Sequence, residues 1–64
     1  MNGVVAEFDF DRGLGVVVDD LGQRFPFHCV SIADNSRSIA VGTRVHFERL
    51  PKLGVHEAAN ISVA

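Results

Sequence analysis

Residues 12–29 read RGLGVVVDDLGQRFPFHC. Two apolar runs flank the polar segment DDLGQ (19–23), where Gly22 can take the positive φ of a tight turn, so the stretch predicts a β-hairpin. The second run alternates cleanly. Phe25, Phe27 and Cys29 share one face and predict core, while Arg24, Pro26 and His28 share the other. Pro26 has no N–H to give to a ladder, so its strand belongs at a sheet edge or beside the gap of a partly open barrel.

Outward from this hairpin the same period recurs. TRVHFE (43–48) places Val45 and Phe47 inward and Arg44, His46 and Glu48 outward, and AANISVA (58–64) predicts Ala59, Ile61 and Val63 as core. Strands are expected at about residues 2–9, 14–19, 24–29, 43–50 and 56–63, and no segment has an apolar period long enough to compete as helix. SIADNSRSIAVG (31–42) is too mixed for a regular strand; it separates a three-strand meander from a two-strand hairpin closed by PKLG (51–54). This order predicts an all-β, five-stranded antiparallel barrel, since closure hides edges that a small sheet exposes.

The 64 residues make one domain, because a chain of this size buries only roughly 60% of its unfolded surface and has no core to divide. Six basic and eight acidic residues give a net charge of −2, so the global field does not draw the chain towards phosphate. Glu7, Asp9, Asp11, Asp19 and Asp20 precede residue 21 against Arg12 alone; Arg24, Arg37, Arg44, Arg49 and Lys52 follow. Any cationic surface is therefore local. Cys29 is the single cysteine, which excludes an internal disulfide and argues against a cysteine-based zinc site. No run approaches a membrane span and no targeting segment is read, so a cytoplasmic location without membrane association is expected.

These residues resemble a cold-shock domain across nearly the whole chain. GVVAEFD (3–9) stands where that family has a segment like GTVKWFN, and RGLGVV (12–17) where it has KGFGFI. FPFHC (25–29) corresponds to VFVHF, VGTRVHFE (41–48) to EGQxVxFE, and HEAANISV (56–63) to PQAANVxx. The resemblance implies an OB-fold barrel of the kind found in bacterial cold-shock-like proteins. It also implies binding of single-stranded RNA or DNA without catalysis or cofactor, as an RNA chaperone or expression regulator.

The departures concentrate on one surface. The family tryptophan is Glu7, its two glycine-flanking phenylalanines are Leu14 and Val16, and the phenylalanine before the motif histidine becomes Pro26. Cys29 and Ala6 replace a second phenylalanine and a first-strand lysine, while Phe8 and His28 keep the family residues and Arg12 keeps the basic character of the motif lysine. Each lost base platform removes about 1–3 kcal/mol of stacking, so altered or weakened affinity is expected.

On this reading the binding surface comprises Phe8, Phe10, Arg12, Leu14, Val16, Arg24, Pro26 and His28. Phe10 either forms a relocated stacking pair with Phe8 or closes the barrel end. Arg12 and Arg24 either meet phosphate or are solvated charges, and His28 is an exposed contact or a structural hydrogen bond. The competing expectation is a protein-interaction module or homodimer, with Leu14, Val16 and Pro26 forming a dry patch in place of the family's aromatics.

Catalysis is not expected. The Asp9/Asp11 and Asp19/Asp20 pairs read as turn acids, Cys29 lacks an activating partner, and Gly13 and Gly15 make too short a pattern for a nucleotide loop. They fit close strand packing instead. His46 and His56 fall on different strands, with no further metal ligands indicated.

Overall fold

The computed structural model describes residues 1–64, in the strands β1 (Asn2–Asp9), β2 (Leu14–Asp19), β3 (Arg24–His28), β4 (Arg44–Lys52) and β5 (Val55–Val63). All neighbouring strands are antiparallel and form one sheet in the order β3-β2-β1-β4-β5. The β2–β3 turn forms at the predicted place. Gly22 has φ 82°, and Asp19 accepts the backbone N–H groups of Leu21 and Gln23 at 3.0 and 2.8 Å. Pro26 lies on β3, an edge strand, where its missing N–H leaves no ladder bond unmade.

Hydrogen bonding does not close the sheet. β3 and β5 are its two edges; the sheet coils until they come into contact, but no strand pairing joins them. A single parallel bridge, Ile32 to Ile61, ties the connection after β3 to β5. No helix is long and apolar enough to cross a membrane.

The core consists of Val5, Val17, Phe25, Phe27, Ile32, Val45, Phe47, Ala58 and Ile61, with Phe8 and Ile39 packed against it. Each buried Val, Ile or Phe among them contributes about 1.5–3 kcal/mol relative to exposure. Phe25 packs on Phe47 with ring centroids 5.2 Å apart, joining the meander to the second hairpin.

Two expectations about the core need correction. β3 ends at His28, so Cys29 is not an inward strand residue; it opens a 3-10 turn (Cys29–Ser31) and is only half-buried beside Gly13. On β5, Ala58 rather than Ala59 is buried with Ile61, and Val63 is 65% exposed. The cause is Asn60, whose φ of 49° accompanies a register shift between β4 and β5. A bulge lets two residues three apart face the same way, which an unbroken strand forbids. Ile32 also joins the core, from the connection and outside any strand.

A second bulge lies in β1. Val5 pairs with Val17, but Glu7 pairs with Val16, so Ala6 is the extra residue. Unbulged, Glu7 would stand opposite buried Gly15 on the core side. The extra residue turns its carboxylate outward.

Candidate nucleic-acid interface

Strand register assembles the site row by row across β1, β2 and β3. Glu7, Val16 and Pro26 form one outer row, and Asp9, Leu14 and His28 form the next. Between them the row Phe8, Gly15 and Phe27 faces the core, with Phe27 buried and Phe8 half-buried. The Phe8 ring lies nearly parallel to Phe27, with centroids 6.0 Å apart and a 14° tilt. Gly15 makes this arrangement possible. A Cβ there would come within 2.5 Å of the Phe27 Cζ and 2.7 Å of the Glu7 carbonyl oxygen.

These rows line a groove of about 390 Å³ that includes Phe8, Arg12, Leu14, Val16, Pro26 and His28. Its aliphatic floor is accessible, with Leu14 40% exposed. The turn before β2 is fixed by Asp9, whose Oδ1 accepts the N–H groups of Asp11 and Arg12 at 3.1 and 3.2 Å, while Gly13 takes φ 66°. Asp9 and Asp19 thus each act as an acceptor within a turn.

The structure brings together six of the eight residues expected at the surface. Arg24 stands beside the groove, paired with Glu7. Phe10 lies outside the groove lining and is 72% exposed, so it does not plug an end of the coiled sheet; Phe8 stacks on Phe27, not on Phe10.

Glu57 was not expected. It reaches the groove from β5, far away in sequence, and only the approach of β5 to β3 brings it there. The three groove carboxylates each have a cationic partner: Glu7 pairs with Arg24, Asp9 with Arg12 at 3.7 Å, and Glu57 with Lys52 at 3.6 Å. Each groove carboxylate is therefore neutralised by a neighbouring cation, of which Arg12 alone lines the groove itself. Arg12, Arg24 and Lys52 are all more than half exposed, and such pairs are worth about 0–1 kcal/mol, so an incoming phosphate can compete for the cations at small cost.

The remaining histidines lie elsewhere. His46 Nδ1 meets the Asn2 side-chain oxygen on the β1–β4 side, and His56 stands opposite Pro51 on the second hairpin. No protein-family model matches this chain, and no curated protein matches it.

Proposed function

We propose that this chain is a non-enzymatic binder of single-stranded RNA or DNA, built as a divergent cold-shock-type OB barrel. The strand order and the coiling that brings β3 against β5 support the barrel assignment. One observation carries the functional reading. Phe8 and His28, which keep cold-shock motif residues, and Arg12, which keeps the motif's basic character, converge on one open groove despite lying on β1, β3 and the turn after β1.

In this mechanism Phe8 offers a ring face to one base, backed by Phe27 so that little conformational freedom is lost on binding. Leu14, Val16 and Pro26 give apolar contact without a π-face, His28 donates or accepts at a base edge, and Arg12 exchanges Asp9 for phosphate. A strand held this way cannot pair with its complement. That is the physical basis of RNA-chaperone or expression-regulating activity.

The test is fluorescence anisotropy of labelled oligo-dT and oligo-U. Phe8→Leu keeps an apolar side chain and removes the ring, and it is expected to weaken binding by at least about fivefold, the lower end of the stacking scale. Unchanged affinity in a folded variant would remove Phe8 from the site.

A second reading is favoured by the Leu14, Val16 and Pro26 patch together with the groove carboxylates: a protein partner or second copy docks on this face. Light scattering over a concentration series distinguishes self-association, which predicts a rising mass, from a monomer that binds oligonucleotide.

A further inference from the structure

Four of the six Lys and Arg side chains are ion-paired: Arg12, Arg24, Arg44 and Lys52. Arg37, in the connection, and Arg49, on β4, have no carboxylate partner within 4.0 Å. Arg49 occupies an unusual place. In β4 it follows Val45 and Phe47 in the inward phase, where the alternation calls for an apolar side chain. His56 does the same on β5, two residues before buried Ala58.

Neither is buried, because here the β4–β5 hairpin runs past the core and its inner side faces a cleft instead. The cleft, of about 450 Å³, lies between this hairpin and the β3 edge and is lined by Arg24, Phe25, Pro26, Arg49 and His56 among others. No carboxylate lines it. Pro26 also lines the base-binding groove, and Arg24 reaches out of the cleft to Glu7 on that groove's wall, so the two depressions are contiguous.

From this juxtaposition we infer that the cleft between β3 and the β4–β5 hairpin is a phosphate-binding extension of the groove. Arg49 is the principal cation for the sugar-phosphate backbone of a strand leaving the base-binding face past Pro26. The inference rests on the single-strand reading and deepens it by assigning the path of the strand. Charge complementarity selects this occupant: the groove's own cations are neutralised in place, whereas Arg49 has no counter-charge to displace. The guanidinium presents several donors to phosphate oxygens, and His56 adds a ring N–H on the same side of the hairpin.

The experiment compares labelled oligo-dT of about four and about ten nucleotides, lengths within the range bound by one OB fold, by anisotropy across a salt series. Arg49→Gln should weaken the longer strand about threefold to tenfold and reduce its logarithmic salt slope by about 0.7, the single-strand value for one phosphate contact. It should leave the shorter strand unchanged, and Arg49→Lys should restore the slope. Arg37→Gln, which removes the same charge away from the cleft, should leave both lengths unchanged. An Arg49→Gln effect no larger than that of Arg37→Gln, or equal at both lengths, overturns the inference while leaving the groove reading intact. Failure of the wild-type protein to bind either length overturns the groove reading, and this inference with it.

Discussion

Gly15 shows how much of the site depends on single atoms. A methyl group at this position meets the edge of Phe27 and the Glu7 carbonyl oxygen well inside contact distance, so Gly15→Ala must displace the ring on which Phe8 stacks. A loss of about 1–3 kcal/mol in denaturant unfolding is expected, the usual cost of overpacking. Glu7 makes the opposite kind of prediction. Glu7→Gln removes a carboxylate from the groove and releases Arg24; stability should change by less than about 1 kcal/mol, because the pair is exposed. Oligonucleotide affinity should rise, and a fall would show that Glu7 contacts the ligand directly. The groove residues from Phe8 to His28 were legible because strand alternation and glycine spacing act within a short stretch of chain. Glu57 and the Arg24–Glu7 pair were not, since both depend on which distant side chains meet after the sheet coils.

At the scale of elements, the strands were legible and their irregularities were not. Alternation located all five strands to within two residues at each end, but a bulge changes the phase without changing the composition. Ala6 and Asn60 each shift one strand by a residue. The first turns Glu7 into solvent, and the second buries Ala58 in place of Ala59. Asn60 did carry a signal, since asparagine is uncommon within strands yet tolerates left-handed backbone. Its side-chain amide also donates to Glu48 across the hairpin. Asn60→Ala should therefore destabilise the protein by about 1 kcal/mol, measured as a lower thermal midpoint, whereas Asn60→Gly should recover the part due to the backbone. Equal losses in both variants would place the cost in the Glu48 hydrogen bond.

For the whole molecule, the division of charge matters more than its sum. The net charge of −2 opposes a polyanion at long range, yet carboxylates and cations are paired around the groove, and Arg49 stands unpaired in the adjoining cleft. A ligand that engages this surface meets few net positive charges. Its affinity should be modest and its salt dependence shallower than that of a strongly basic binder. Coiling of the sheet, which sequence order suggested, creates both depressions by bringing β5 and the β4–β5 hairpin up to β3. The absence of hydrogen-bonded closure there is what leaves the cleft open. Pro26 marked the β3 side of this gap in the sequence, whereas β5 carries no comparable signal that its edge remains unpaired.

The most direct test of the central claim is the anisotropy of labelled oligo-dT and oligo-U from low to near-physiological salt; the label is required because the chain has no tryptophan. The measurement is made on the wild-type protein and on a Phe8→Leu, His28→Ala double variant verified to be folded. Salt-sensitive, micromolar binding by the wild type is expected, and the double variant should lose it. Absence of binding by folded wild-type protein at low salt, or equal binding by the double variant, would contradict the single-strand reading.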